Sequence, residues 1–250
     1  MPILDRPANT VNVELPSRKA QVIAETDVLV VGGGPAGLGA ALGAADAGAD
    51  VILVERLGFL GGSATAALVT CFMSYFSPIY ESQPPRTHLL YPQDHGPAEP
   101  IIGGVVTRLT DLLLARGGAV QPSRDTGYVT PFDPEIYKSV APELLNQSGV
   151  NFLYHAYASG IIGDSSLEGV ILETKSGPVV IKAKVTVDCT GDGDIAALAG
   201  APFQQGREWD GLTQPMTLLF RLVGFNREKF AEYVRNNPVQ WNGVQGLYEF

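Results

Sequence analysis

The sequence predicts an α/β fold built around a parallel sheet, and three observations near the N-terminus support this. The apolar, β-branched run TDVLVV at 26–31 leads straight into the glycine-rich turn GGGPAG. A segment of small residues at 38–48 follows, which is compatible with a helix and ends at a glycine. A second apolar run, ADVILVER, occupies 49–56. Strand, turn, helix and strand within about thirty residues are typical of a βαβ unit, whose two strands are parallel.

Two later segments have the sequence marks of helices. Residues 103–118 carry apolar residues near helical spacing and end at a glycine pair. Residues 133–149 begin with Asp133, which can cap a helix, and Pro134, which suits the first helical position. Gly149 then ends this second helix.

The remaining elements are predicted to be mostly strands. Residues 150–158 form one apolar run, and 167–174 and 179–191 flank a Lys-Ser-Gly-Pro turn. We interpret them as an antiparallel meander that leads into a final buried strand, followed by the start of a small-residue helix. Near the C-terminus, 213–225 predicts a further strand and 226–237 a short amphipathic helix.

The composition excludes several classes of protein. Of the 250 residues, 45% are hydrophobic and 17% charged, which excludes intrinsic disorder as the main description. The formal net charge of −9 repels phosphate, so we expect no nucleic-acid partner. Two cysteines and the lack of a signal-peptide pattern favour the cytoplasm. The uncharged run 28–45 contains six glycines and a proline, so we expect no membrane span. No cluster of cysteine and histidine has the spacing of zinc ligands, so no metal site is expected.

The glycine turn has the spacing of a dinucleotide-binding motif. Gly32 permits a tight turn, Gly34 permits close approach to a pyrophosphate, and Gly37 lets helix and strand pack closely. The helix N-terminus then offers free N–H groups to phosphate. Glu55, at the end of the second strand, suits the hydroxyls of a ribose and would repel a 2′-phosphate. The alternative is a glycine-rich turn with a surface glutamate. Together these features predict a Rossmann-like domain.

Two further glycine-containing segments are candidates for the same site. Gly61, Gly62 and Ser63 could hold backbone donors against phosphate, although a plain turn is equally consistent with them. The segment from Asp188 to Asp194, DCTGDGD, follows the last strand of the meander. Its carboxylates could bind hydroxyls or cap the next helix. A calcium loop fits poorly because the EF-hand series of ligands is missing.

The order and spacing of these segments resemble one family of flavoproteins. The chain is similar to the FAD-dependent oxidoreductase family of the glutathione-reductase-like superfamily, which is related to the fumarate reductase flavoproteins. The resemblance runs from about residue 26 to 225 and rests on DVLVVGGGPAGLGAALGAADAGADVILVER, LGGSAT, FDPEIYK, GVNFLYHA, VDCTGDGDIAALAGAPF and QPMTLLFRL. It implies FAD rather than NAD as cofactor. It also implies hydride transfer between a small organic substrate and flavin N5.

The resemblance implies a set of cofactor-binding residues. The glycine turn would hold the pyrophosphate, Glu55 the adenosine ribose, and the strand around Ala156 would pass the adenine. The whole set is Gly32, Gly34, Pro35, Ala36, Gly37, Glu55, Arg56, Gly61, Gly62, Ser63, Ala156, Thr190, Gly191, Asp192 and Asp194. No catalytic acid or base is identified, since His88 and His95 are loop histidines of the kind that is usually solvated.

Relatives in this family are usually longer and carry a C-terminal segment that completes the flavin site. We therefore keep an alternative: a non-catalytic or incomplete nucleotide-binding fragment or subunit, which needs that segment, a partner chain or an oligomer. The predicted organisation is an arm at 1–25, an FAD-binding βαβ and glycine-pair segment at 26–71, a loop excursion at 72–102, the remaining FAD-binding domain with the meander at 103–203, and the start of an incomplete substrate region at 204–250.

One side chain in this last region has two open interpretations. Arg221 alternates with apolar neighbours in the predicted strand. It could bind a substrate carboxylate through two parallel hydrogen bonds, or it could face solvent.

Overall fold

The structure is a computed structural model, and it describes residue 14 and residues 16–73, 100–123, 129–164 and 166–237. Most of the loop excursion expected at 72–102, including both of its histidines, lies outside the described residues. The same holds for most of the arm expected at 1–25 and for the last residues of the expected substrate region.

The chain forms an α/β structure with one main sheet, as the sequence predicts. Eight strands are described: β1 Gln21–Val31, β2 Val51–Val54, β3 Cys71–Phe72, β4 Thr130–Pro131, β5 Asn151–Leu153, β6 Tyr157–Ile162, β7 Gly169–Thr174 and β8 Gly177–Asp188. Five helices accompany them: α1 Pro35–Asp46, α2 Val105–Ala115, α3 Pro134–Gln147, α4 Asp194–Leu198 and α5 Arg227–Asn236. A short 3-10 helix, Gly62–Ala64, follows β2.

The main sheet has the strand order β5-β2-β1-β8-β7-β6. Its first four strands are parallel, and β8, β7 and β6 form the predicted antiparallel meander. β3 and β4 pair separately as a small antiparallel ribbon. β1 pairs with β2 on one side and with β8 on the other, so it is the central parallel strand. The carboxyl ends of β1, β2 and β8 therefore lie side by side.

The last three residues of β1 are buried on both faces of the sheet, as expected for a strand within a covered parallel sheet. Val30 packs in a core with α1, α2 and α3, whose members include Leu42 and Leu113. Leu29 and Val31 point to the opposite face and pack with residues of the meander and of α4. Alternate residues of one strand thus enter two separate cores.

The cap and end signals predicted for α3 are present, and α5 has a cap of its own. The carboxylate of Asp133 accepts a hydrogen bond from the N–H of Glu135 at 2.7 Å, and Pro134 is the first residue of α3. Gly149 follows this helix with φ +73°. α5 is capped by Asn226, whose side-chain oxygen accepts from the N–H of Lys229 at 2.9 Å. Among the described helices, none is long and apolar enough to cross a membrane.

Two strands differ from their predicted limits. β1 begins at Gln21, five residues before the expected strand, because Gln21 pairs with Val179 and the following residues continue along β8. The run at 150–158 is not one strand but two, β5 and β6, separated by His155 in a left-handed conformation with φ +54°. An apolar pattern that continues through such a turn cannot reveal it.

The short link between β5 and β6 shows that the sheet folds back on itself. These strands occupy opposite ends of the strand order, yet only four residue steps separate Leu153 from Tyr157. Four steps span at most about 14 Å, whereas six strands laid flat would be about 24 Å across. The meander therefore curls over the parallel strands. Accordingly, Val54 of β2 shares a core with Leu172 of β7.

The prediction of a strand at 213–225 is wrong. No residue of this segment belongs to a strand, and no described strand pairs with it. Its apolar side chains face outwards: Met216 is 97% exposed, Leu218 85% and Val223 89%. An apolar, β-branched pattern becomes a strand only where a second strand satisfies its backbone, and none of the described residues supplies that pairing.

Candidate functional site

The candidate site lies where the carboxyl ends of β1, β2 and β8 meet. The N–H of Gly32 donates to the carbonyl oxygen of Val54 at 2.9 Å, and the N–H of Cys189 donates to that of Val31 at 2.8 Å. These bonds hold the three loops that follow the strands against one another. In open α/β sheets, ligands bind at this edge, where neighbouring connections leave on opposite sides.

Two glycines of the first turn are required by close backbone contact. Gly32 has φ +106°, and a Cβ there would overlap the carbonyl group of Cys189. A Cβ at Gly37 would overlap the carbonyl oxygen of Gly32. The roles expected of these two positions, a tight turn and close helix packing, are therefore visible in the structure. Gly34 differs, because a Cβ there would have only one ordinary contact, to Gly62 at 3.8 Å.

The N-terminus of α1 opens onto this edge. Its capping residue, Gly34, has extended backbone, and no side chain caps the helix. Pro35 is the first helical residue and has no N–H to offer. The N–H groups of Ala36 and Gly37 lie in the first turn, where an α-helix provides no backbone acceptor. With the helix dipole, these groups favour an anion at this position.

The second glycine segment packs directly on the first. The N–H of Gly61 donates to the carbonyl oxygen of Gly33 at 2.8 Å. Gly61 and Gly62 both have positive φ, and a Cβ at Gly62 would lie 2.9 Å from Cα of Gly34. Ser63 is exposed beside them. The plain-turn alternative therefore does not describe this segment fully, since its glycines are needed for the contact between the two turns.

Glu55 is fixed against the glycine turn. The residue is only 6% exposed. One carboxylate oxygen, Oε2, accepts from the N–H of Gly33 at 2.7 Å, and Oε1 accepts from the N–H of Leu57 at 2.8 Å. The alternative of a surface glutamate is wrong, because this carboxylate is buried and hydrogen-bonded. Each oxygen keeps capacity for a further hydrogen bond, so the group can still accept from a hydroxyl.

The charge of Glu55 also affects a neighbouring side chain. Partial burial, and then the negative charge of Glu55, raise the pKa of Tyr154. Arg56, the next residue after Glu55, is exposed. Its guanidinium has no ion-pair partner within the portion of the chain that the structure describes.

The third segment is organised by Asp188. Its Oδ1 accepts from the N–H of Thr190 at 3.0 Å and from the Thr190 hydroxyl at 2.7 Å. Its Oδ2 accepts from the N–H of Ala196 at 2.8 Å, which ties the end of β8 to α4. Partial burial alone would raise the pKa of Asp188, but these donors and the N–H of Ile195 hold it below its usual value. Asp188 is thus the capping carboxylate of the segment.

The structure brings some predicted residues to the glycine turn and leaves others apart. Thr190 follows Cys189, which contacts Gly32, but its hydroxyl is used by Asp188 and by the N–H of Asp194. Gly191 is exposed. The carboxylates of Asp192 and Asp194 are also exposed, and neither has a hydrogen bond to the described residues of the turn.

Ala156 is joined to the site through the backbone of Glu55. Its N–H donates to the carbonyl oxygen of Glu55 at 3.0 Å. The residue is 2% exposed. Ala156 therefore offers no free backbone donor, although an adenine contact through this part of the chain was expected from the resemblance.

Gly33 is the residue that sequence reasoning missed. Its N–H binds Glu55, its carbonyl oxygen accepts from Gly61, and a Cβ would lie 2.5 Å from Cδ2 of Leu60. It therefore links the three parts of the site. The sequence offered only a weak signal, because the GxGxxG motif leaves this position unspecified.

These features suit an extended anionic dinucleotide. The site combines free N–H groups at the start of α1, a fixed carboxylate and two facing glycine turns, in which a Cβ at Gly62 would fill space next to Gly34. Within the described residues, no group of three or more histidine, cysteine, aspartate or glutamate side chains is placed to hold a metal ion.

Comparisons with solved structures find similar chains at low sequence identity. THI4 from Thermovibrio ammonificans is 19% identical over 70% of this chain and 61% of that chain, with a TM-score of 0.44. The anhydrotetracycline hydroxylase OxyS from Streptomyces rimosus is 17% identical over 70% of this chain and 34% of that one, with a TM-score of 0.46. A flavocytochrome c3 fumarate reductase is 20% identical over 67% and 34%, with a TM-score of 0.41.

The chain thus spans less than two thirds of the length of these structures. Among curated proteins, no sequence matches it. A family profile described as FAD dependent oxidoreductase matches residues 27–250, which is nearly the whole chain. The chain therefore belongs to the FAD-dependent oxidoreductase family, and its cofactor is FAD.

Proposed function

We propose that the chain forms the FAD-binding part of an oxidoreductase that transfers a hydride between a small organic substrate and flavin N5. The observation that carries the proposal is the hydrogen-bonded connection of Glu55, Gly33 and Gly61. It joins three separate stretches of sequence into one site at the carboxyl edge of the sheet. When bound, FAD supplies the two-electron redox chemistry.

The residues of the site have complementary proposed roles. The free N–H groups of Ala36 and Gly37, with Gly34 beside them, hold the pyrophosphate at the start of α1. Glu55 accepts hydrogen bonds from the adenosine ribose hydroxyls. Gly62 and Ser63 extend the same surface towards the flavin. The remaining proposed members of the cofactor site are Gly32, Pro35, Arg56, Gly61, Ala156, Thr190, Gly191, Asp192 and Asp194.

A second candidate function follows from the exposed apolar segment 213–225. Side chains such as Met216 and Val223 are almost fully exposed there. Large exposed apolar patches mark surfaces that another segment or chain covers. The alternative is therefore a nucleotide-binding unit that turns over only when a further segment or a partner chain completes the flavin end. In both proposals, the protein is located in the cytoplasm and the substrate is a small molecule.

The first experiment is to purify the 250-residue chain, add FAD, desalt it and record the visible absorption spectrum. We expect a retained flavin spectrum, and bleaching of the flavin by a substrate would then establish oxidoreductase activity. Retention of flavin without bleaching by any substrate, together with activity after a partner or longer chain is added, would favour the alternative. Failure to retain flavin would contradict the first proposal. Flavin binding restored by a longer chain or a partner would then identify an incomplete half-site, and continued failure would contradict both proposals.

The variant Glu55→Gln tests the assigned site. An amide has one acceptor oxygen, so it cannot accept from both N–H groups that now bind the carboxylate. We expect the affinity for FAD to fall by about tenfold or more, measured by flavin fluorescence titration. Glu25→Gln, at an exposed carboxylate near the other end of β1, is the matched control and leaves the affinity unchanged. Equal affinities of both variants would contradict the role of Glu55.

A further inference from the structure

A cavity of about 450 Å³ lies beside the small β3–β4 ribbon, apart from the glycine turns. Its wall includes the turn after α2, the end of β4 with Phe132, and residues Leu68 and Thr70. Phe220 and Arg221 of the exposed segment also line the cavity, which is open to solvent. A volume of this size is within the range of small-molecule sites, which are mostly apolar with a few polar groups.

The cavity is continuous in sequence with the second glycine segment. Ser63 is exposed beside the glycine turn, and its carbonyl oxygen accepts from the N–H of Val69 at 3.0 Å. This bond holds Leu68 and Thr70, which line the cavity, close to the 3-10 helix that begins at Gly62. Leu68 has φ +58°, a conformation that L-residues seldom adopt. The proposed flavin-facing surface and the cavity are thus two ends of one short stretch of chain.

Arg221 is the cationic group of this cavity. Four other arginines form ion pairs with carboxylates: Arg18 with Glu173, Arg108 with Asp46, Arg116 with Glu143 and Arg207 with Asp210. The guanidinium of Arg221 has no such partner among the residues that the structure describes. A guanidinium beside the apolar side chains of Leu68, Phe132 and Phe220 offers two parallel hydrogen bonds to a carboxylate.

The carboxylate that the described residues contribute to the cavity wall has another use. Asp133 lines the cavity, but its Oδ1 accepts from the N–H of Glu135 at 2.7 Å and from that of Ile136 at 3.4 Å. It therefore caps α3, where the positive end of the helix dipole offsets its charge. Asp133 and Arg221 form no ion pair. This leaves the positive charge of Arg221 available to a ligand.

We propose that this cavity is the substrate site, and that it takes a molecule with a carboxylate on an apolar body. The carboxylate binds the guanidinium of Arg221, and the apolar body lies against Leu68, Phe132 and Phe220. The proposal rests on the proposed oxidoreductase function, because it names the class of substrate that this oxidoreductase takes.

The test uses 2-naphthoate as probe and its neutral counterpart, 2-naphthamide, titrated into the 250-residue chain by calorimetry. We expect the chain to bind naphthoate at least tenfold more tightly than the amide, since a charge-assisted pair is lost with the amide. Arg221→Gln abolishes this preference, and Arg221→Lys keeps part of it. Arg207→Gln is the matched control, because Arg207 lies shortly before the exposed segment, does not line the cavity and is paired with Asp210; this variant retains the preference.

Retained flavin is measured in the same samples, so the two proposals can fail separately. The cavity proposal is overturned if naphthoate does not bind, if naphthoate and naphthamide bind equally, or if Arg221→Gln keeps the preference. The flavin assignment would stand in each of these cases. A preference for naphthoate that depends on Arg221 in a chain that retains no FAD would support the cavity as a carboxylate site. That result would instead contradict the proposal that this chain alone forms the FAD-binding part.

Discussion

Single glycines after β1 decide how closely neighbouring segments of the chain approach one another. Gly32 has positive φ and lies against the carbonyl group of Cys189, so a side chain there meets both backbone strain and overlap. Gly43 lies in α1, where a Cβ would have no neighbour within 4 Å. The two positions therefore separate a glycine that is required by its surroundings from one that is not.

We expect Gly32→Ala to lower the free energy of unfolding by about 2 kcal/mol or more, because both the conformation and the space exclude a side chain. Gly43→Ala is expected to raise it by about 0.5–1 kcal/mol, because alanine is the better helix former. Urea unfolding of both variants measures the difference. A Gly32→Ala variant as stable as the unchanged chain would contradict the described packing of the turn on Cys189.

At the scale of single residues, the sequence predicts those features that depend on the spacing of neighbouring residues. The positions of Gly32 and Gly37 could be inferred because turn, helix and strand are neighbours along the chain. The link that Gly33 makes between Glu55 and Gly61 could not, because it depends on how separate segments pack. For the same reason, the sequence could not show that the carboxylate of Glu55 is buried.

Among the elements, β8 and α4 are joined by one carboxylate. Asp188 is the last residue of β8, and its Oδ2 accepts from the N–H of Ala196 within α4. Its other oxygen fixes Thr190 in the connecting loop. The hydrogen bonds of Asp188 therefore hold the start of a helix that has only five residues and could not form alone.

The stability that Asp188 contributes depends on pH. Because the pKa of Asp188 in the folded state lies below the usual value of an aspartate, the contribution is present above about pH 4 and is lost as the pH falls through the folded-state pKa. We expect Asp188→Asn to lower the free energy of unfolding at pH 7 by about 1–3 kcal/mol. The difference in this free energy between the variant and the unchanged chain should become smaller below about pH 4. Denaturant unfolding at several pH values measures this.

Asp192→Asn is the matched control for this prediction. Asp192 lies in the same loop but is exposed and has no hydrogen bond to the described residues. We expect the free energy of unfolding of Asp192→Asn to equal that of the unchanged chain at every pH. If the loss in Asp188→Asn stayed constant from pH 7 to pH 3, the charge of Asp188 would not be the stabilising feature.

Elements with local signals at both ends were predicted well. α3 has a capping Asp133, a proline at its first position and a terminal glycine, and these signals are close in sequence. The early start of β1 depends on its pairing with β8, more than 150 residues away. The break between β5 and β6 depends on the left-handed conformation of His155, which no pattern of apolar residues encodes.

For the whole molecule, backbone pairing separates the ordered sheet from the exposed segment 213–225. β1 is hydrogen-bonded on both sides, and Leu29 and Val30 are fully buried. The exposed segment is apolar enough to have been predicted as a strand, yet it belongs to no described sheet. Its state therefore depends on what covers it, and local sequence cannot supply that information.

Hydrogen exchange of the 250-residue chain tests this contrast. We expect the amides of 216–223 to exchange at nearly unprotected rates, while those of Leu29 and Val30 are protected by the full free energy of unfolding. Replacing Met216, Leu218 and Val223 together by glutamine is expected to change stability by about 0.5 kcal/mol or less at each site, because these side chains make few contacts. Leu42→Ala, in the core, is the control and costs about 2–5 kcal/mol. Strong protection of 216–223 in a monomer would mean that this segment pairs within the chain, and the second candidate function would lose its main support.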